Sequence, residues 1–160
     1  MKAKNCLIFG GSGQIGTHLI RKLTKNNYRV TVVTRNLHQK SYKIKTQANA
    51  GFIEIVEAKI TEELKIRSLF EKADICINLI GILFEKKRGN TFENIHTIFP
   101  SILAKLCKEY NIKQFIHLSA LGINEATDSD YAKSKLNGEA NILKNFPLAT
   151  ILRPSVVYSV

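Results

Sequence analysis

Short apolar runs alternate with amphipathic stretches along most of the chain. Residues 5–9, 29–34, 52–56, 74–79, 114–119 and 149–153 are rich in Ile, Val and Phe, and each is short enough to be a strand buried on both faces. Between them apolar positions recur at intervals of three, four or seven, the period of an amphipathic helix. Ile15, Leu19, Ile20 and Leu23 form the first such set, and Leu64, Leu69 and Phe70 the second. Phe92, Ile95, Phe99, Ile102, Leu103 and Leu106 form the third, in which Pro100 should kink or break the helix. Tyr131, Lys135, Glu139, Ile142 and Leu143 form the fourth. Strands joined by helical crossovers predict a doubly wound α/β domain around a parallel sheet, with ligands at the carboxyl ends of the strands. No repeat and no Pro- or Gly-rich linker divides the 160 residues, so residues 1–160 are expected to form one domain.

Composition narrows the picture. At 44% hydrophobic and 23% charged residues the chain is a folding one, and no apolar run approaches the ~18 residues of a membrane span. The basic start, Met1-Lys2-Ala3-Lys4, is followed by an apolar stretch too short for a signal peptide. The expectation is a chain that stays in a bacterial-type cytoplasm, with attachment to the periphery of the inner membrane through a partner as a variant of it. Cys6, Cys76 and Cys107 lack CxxC spacing and read as buried thiols in a reducing compartment. His18, His38, His96 and His117 have no ligand spacing, so no metal site is expected. The net charge of +11 fits an acidic protein or an anionic membrane surface. Nucleic acid is disfavoured, because the basic residues are spread along the chain, Lys2, Arg21, Lys45, Lys86 and Lys113 among them, and Lys outnumbers Arg. Residues 40–45 and 86–88 read as solvated basic loops.

Directly after the first apolar run stands Gly10-Gly11-Ser12-Gly13-Gln14-Ile15-Gly16, which opens the first helix near Gln14. Gly10 permits a tight turn, Gly13 lets the backbone approach a pyrophosphate, and Gly16 lets the helix pack against the strand. The helix N-terminus then meets the anion with unpaired N–H groups. This loop, between one strand and the helix that leads to the next, predicts a Rossmann-type dinucleotide site. A Walker A loop is excluded, since no Lys-Ser or Lys-Thr follows. At the end of the second strand Thr34-Arg35-Asn36 carries a cation where NAD-selective domains carry a carboxylate, so NADP(H) is expected over NAD(H).

Tyr131 and Lys135 lie one helical turn apart on a helix that Asp128 or Ser129 could cap. An ammonium near a phenol favours the phenolate, which would lower the Tyr131 pKa toward general acid–base work.

Five ordered blocks together resemble the extended and atypical short-chain dehydrogenase/reductases. They are the glycine loop, Asn78-Leu79-Ile80-Gly81, His117-Leu118-Ser119-Ala120-Leu121-Gly122, Tyr131 with Lys135-Leu136-Asn137-Gly138-Glu139, and Leu152-Arg153-Pro154-Ser155-Val156-Val157-Tyr158. Within that group the wording is most similar to the NAD(P)-binding accessory subunit of respiratory complex I and its bacterial relatives, which are labelled NAD-dependent epimerase/dehydratase. The resemblance implies that Gly10, Gly11, Ser12, Gly13, Gln14, Ile15 and Gly16 hold the pyrophosphate and Arg35 the adenosine phosphate. It implies Asn78 and Gly81 beside adenine and ribose, Ser119, Tyr131 and Lys135 facing the nicotinamide, and Pro154 and Ser155 next to it. Active extended enzymes carry a Ser or Thr where this chain has Ala120, Leu121 and Gly122, which leaves Ser119 as the substitute and suits a structural NADPH in an accessory subunit. Family members continue past the Arg-Pro block into a domain that closes over substrate. Since this sequence stops at Val160, inside the apolar run 156–160, a truncated chain without the substrate-binding part is expected. The function expected is nucleotide binding with an accessory or assembly role in the NADH-ubiquinone oxidoreductase. The alternatives are an active reductase, epimerase or dehydratase using Tyr131 and Lys135, and a truncated remnant with an exposed apolar edge near 149–160.

Overall fold

Residues 3–86 and 89–158 are described by a computed structural model. Lys2, and Lys87 and Arg88 of the expected basic loop, lie outside them, as do the last two residues of the apolar run 156–160. The chain forms two compact units that meet in sequence between Leu79 and Ile80.

In the first unit β1 (Asn5–Phe9), β2 (Arg29–Thr34), β3 (Ile53–Glu57) and β4 (Ile75–Asn78) run parallel in the order β3-β2-β1-β4. The register pairs Phe9 with Val33 on one side and with Asn78 on the other. Leu7, Ile8, Val32 and Cys76 are buried, as runs covered on both faces should be. α1 (Gln14–Lys25) turns Gly16, Thr17 and Ile20 inward, and Lys22 and Lys25 sit in its last turn, where cations suit the helix dipole. α2 (Leu37–Lys45) is a correction to the sequence reading, which placed residues 40–45 in a loop. The Asn36 side chain caps this helix by accepting from Gln39 N, 3.1 Å away, and Ile44 is its single buried residue. One apolar anchor in nine residues leaves no period to read. α3 (Glu63–Phe70) buries Ile66 and Phe70.

In the second unit a π-helical turn, Glu93–Ile98, passes directly into α4 (Phe99–Glu109). Pro100 therefore falls in the first turn of α4, and the change of helix type just before it supplies the break that the sequence predicts. β5 (Gln114–Leu118) pairs in parallel with β6 (Thr150–Leu152). Between them lies α5 (Asp130–Asn145), capped by Ser129 through Ala132 N. Phe99, Leu103, Cys107, Phe115 and Ile142 fill the core, each fully buried side chain of this size stabilising by about 1.5–3 kcal/mol. After β6, Val156 and Tyr158 are exposed. Each unit alternates strand and helix and its strands pair in parallel, the doubly wound parallel α/β pattern, with one isolated antiparallel bridge between Lys86 and Asn90. All three cysteines are free and buried, and burial first, then Asp74, pushes the Cys6 thiol up to about 11.

Candidate functional site

The first unit carries the glycine loop, residues 10–16, at the carboxyl end of β1. Gly10 has φ +82°, the left-handed region that glycine adopts without strain. The turn closes through Gly13 N to Gly10 O at 3.1 Å. A methyl group on Gly16 would stand 2.6 Å from both the Cα and the O of Gly11, so only glycine lets α1 seat against the loop. A methyl on Gly13 would meet only Gly10 O, at 3.3 Å. Gly13 is the cap of α1, with no side-chain hydrogen bond, and the first turn contains no acidic residue. Its N–H groups are thus left for an anion, and this cradle fits a dinucleotide pyrophosphate. The β1–β2 register sets Arg35, exposed and just past Thr34, level with the start of the loop. Asn78, wholly buried, closes β4 beside Phe9.

The second unit gathers a different set. Tyr131 sits in the first turn of α5, and Lys135 follows one turn later. Lys135 is only 3% exposed, and its Nζ donates to Leu118 O at 3.2 Å. Burial pulls its pKa down to about 8 against the raising effect of Glu139. Gly81 lies against it, since a Cβ there would stand 3.4 Å from Nζ. Ser119 is buried just past the end of β5, and its hydroxyl has no hydrogen-bond partner among the described residues. Pro154 O accepts from Leu121 N, tying the segment after β6 to the one after β5, while Ser155 is exposed. The structure corrects one expectation here: burial pushes the Tyr131 phenol up rather than Lys135 bringing it down. The ammonium stands 5.9 Å from the ring centroid, over the π face of Tyr131.

Three groups went unread as site residues in the sequence. His96, on the π-helical turn, stacks on Phe92 at 5.4 Å and meets the Tyr131 ring edge-on at 5.2 Å. Ile82 N donates to its Nε2 at 3.1 Å, which leaves the proton on Nδ1 for Ser134 Oγ at 2.9 Å. Ser134 in turn donates to Tyr131 O. His96 thereby fastens the segment after β4 to the helix carrying Tyr131 and Lys135. The remaining two are Glu139, 5% exposed, and Arg153, joined in a two-pronged ion pair with Nε donating to Oε1 at 3.0 Å. Burial opposes the charge on Glu139, but the hydrogen bonds from Arg153 and the charges of Arg153 and Lys135 outweigh it and hold the carboxyl below its usual range. In the sequence His96 stands only as a histidine without ligand spacing and Glu139 as a member of a helical pattern and of a family block, and their partners are 38 and 14 residues away.

This cluster makes the fold acid-sensitive. Burial, then Lys135, lowers His96 to about 4, and burial, Lys135 and His96 lower His117 to about 3. Below pH 6.5 the unfolded chain takes up protons that the folded histidines refuse. Stability is therefore lost as pH falls from 6.5 toward 4, by up to about 1.4 kcal/mol per pH unit for each histidine. Glu139, depressed in the fold, adds loss in the same direction as it is protonated. The urea midpoint at pH 5 is expected well below that at pH 7, and equal midpoints would contradict this account of the cluster.

With the loop and the Tyr/Lys pair in view, the chain's relatives can be placed. Residues 6–159 match the model of the family described as NAD dependent epimerase/dehydratase. The chain belongs to that family. It is 24% identical over 151 residues to the mitochondrial NADH-ubiquinone oxidoreductase 40 kDa subunit of Neurospora crassa, covering 94% of this chain and 40% of that protein. It is 29% identical, again over 151 residues, to the mitochondrial NADH dehydrogenase (ubiquinone) 1 alpha subcomplex subunit 9 of Arabidopsis thaliana, covering 94% and 37%. The chain thus spans about two fifths of the length of these relatives. Among solved structures, UDP-glucuronic acid 4-epimerase from Bacillus cereus, solved with NAD, matches with a TM-score of 0.80 at 24% identity, over 96% of this chain and 56% of that one. That likeness shows the Rossmann-type fold. Among the described residues no helix is long and apolar enough to cross a membrane.

Proposed function

We propose that the chain binds NADP(H) and serves an accessory or assembly role linked to the NADH-ubiquinone oxidoreductase, in place of turnover. The residues of the first unit support the nucleotide half of this reading. Gly10 to Gly16 would hold the pyrophosphate on the N-terminus of α1, Arg35 the 2′-phosphate, and Asn78 the adenosine side. Ser12, Gln14 and Ile15 complete the loop. In the second unit Gly81, Lys135, Pro154 and Ser155 would line the nicotinamide half. When bound, the nicotinamide supplies a hydride donor or acceptor. Arg35 supports the preference for the 2′-phosphate, since no carboxylate follows β2 to select against it.

The single observation that favours the accessory role is the setting of Ser119. Ala120, Leu121 and Gly122 follow it, and its buried hydroxyl has no hydrogen-bond partner among the described residues, Tyr131 included. A general acid–base Tyr131 would then work without a hydroxyl partner and with its own proton held tightly by burial. The two complex I relatives support the same assignment. Buried free thiols fit the reducing cytoplasm of a bacterial-type cell, where we place the chain at the periphery of the inner membrane.

A second reading, an NAD(P)-dependent reductase, epimerase or dehydratase, is supported by the buried Lys135 one turn from Tyr131. Tyr131→Phe separates the two. The accessory reading expects NADPH affinity and melting temperature to stay within about twofold and a few degrees of the parent. Enzymatic use of Tyr131 would show as an NADPH-consuming rate, with a carbonyl substrate, that falls about 10² to 10⁴-fold in the variant.

A further inference from the structure

Although basic residues extend along the chain, acidic residues do not accompany them evenly. Ten Lys and Arg residues precede Glu54, the first acidic residue of the sequence, so nearly all of the net +11 charge arises before it. In the fold this segment supplies β1, α1, β2 and α2. On α1, His18, Arg21, Lys22 and Lys25 recur at helical spacing on the exposed side, away from the buried Gly16, Thr17 and Ile20. On α2, Ile44 is fully buried while Tyr42 is 80% exposed, flanked by exposed Lys43 and Lys45. The two basic faces are joined. Arg21 Nη2 donates to Gln47 Oε1 at 2.8 Å, and Gln47 Nε2 donates to Lys43 O at 2.9 Å. At the amino ends of the strands Arg29 N donates to Lys4 O, which brings two more cations to the same end of the unit. Because α1 runs back from the phosphate loop, its last turn lies about 16 Å along the helix axis from Gln14. The acidic groups of this unit belong to β3, α3 and their turns, and Asp74 is taken up by Asn5 N.

We propose that this face of α1 and α2 docks the chain on an anionic phospholipid surface. Lysine dominates it, with Lys22, Lys25, Lys43 and Lys45 around Arg21, and compact ammonium charges attract headgroups without needing paired geometry. The array covers two helix exteriors, and it lacks the concentration of Arg and aromatic residues on one element that marks nucleic-acid readers. Tyr42 adds an amphipathic ring at the centre of the basic face of α2, the side chain favoured at headgroup depth. The proposal goes beyond nucleotide binding and does not depend on it.

Vesicle flotation of the 160-residue chain tests it, with equimolar phosphatidylcholine and phosphatidylserine against phosphatidylcholine alone. Binding is expected only to the anionic vesicles, and it should weaken as salt rises. Each Lys contributes about fivefold, so K22Q/K25Q/K43Q/K45Q should lose at least about a hundredfold in affinity. The charge-matched control K105Q/K108Q/K133Q/K144Q, all exposed in the second unit, should lose less than about tenfold from reduced net charge alone. Tyr42→Ser should weaken vesicle binding and leave heparin binding unchanged. Circular dichroism and NADPH titration of both quadruple variants keep loss of fold or nucleotide binding apart from loss of docking. Equal losses in the two quadruple variants, no binding to anionic vesicles, or tighter binding to duplex DNA than to the vesicles at the same salt would each overturn the proposal.

Discussion

Gly138→Ala is expected to destabilise the second unit strongly. A methyl at Gly138 would run into the carbonyl oxygen of His96 and stand 3.0 Å from its carbonyl carbon. Both are backbone atoms of the π-helical turn, and that turn has little room to retreat. His96 is held by Ile82 N and Ser134, and Thr97 Oγ1 donates to Ser134 O at 3.0 Å. Overpacking a core costs about 1–3 kcal/mol when side chains can move, so a clash between two main chains should exceed about 3 kcal/mol. For a chain of this size that corresponds to a fall in melting temperature of about 10 °C. A melting temperature within a few degrees of the parent would show that α5 and the π-helical turn are not packed as described.

Gly16→Ala is the second large effect, and Gly13→Ala is its control. The Gly16 methyl would press on the backbone of Gly10 and Gly11 at 2.6 to 2.7 Å, so α1 must move off the loop. NADPH affinity should fall at least about a hundredfold and stability with it, by about 1–3 kcal/mol. At Gly13 the nearest atom is Gly10 O at 3.3 Å, so the fold should tolerate the methyl. Affinity should still fall, because the methyl occupies the approach of the pyrophosphate. The pair separates folding from binding: equal stability losses in both variants would contradict the packing, and unchanged affinity in both would contradict the site.

The glycine loop was legible in the sequence because its four glycines, the preceding apolar run and the following helix are contiguous, so local chemistry fixes its shape. Tyr131 and Lys135 were legible for the same reason, one turn apart with Ser129 as the cap. α2 was not, since Asn36 and Ile44 stabilise it without an apolar period. Strand edges shifted by a residue or more, with β3 starting at Ile53 instead of Phe52 and β6 confined to Thr150–Leu152. His96, Ser134 and the Glu139–Arg153 pair depend on contacts between distant segments, and no spacing rule in a single sequence encodes them. The raised Tyr131 pKa escaped for a related reason. Sequence supplies the neighbouring charge, but only the fold supplies the burial that outweighs it.

The central claim is that the first unit holds a nicotinamide dinucleotide with its extra phosphate on Arg35. Fluorescence titration of the 160-residue chain with NADPH and with NADH, at one salt concentration, tests it most directly. The account predicts saturable binding of both, with NADPH tighter by about tenfold or more and Arg35→Ala reducing the two to equal affinity. A folded chain that binds neither nucleotide, or that binds NADH more tightly and is indifferent to Arg35→Ala, would contradict it.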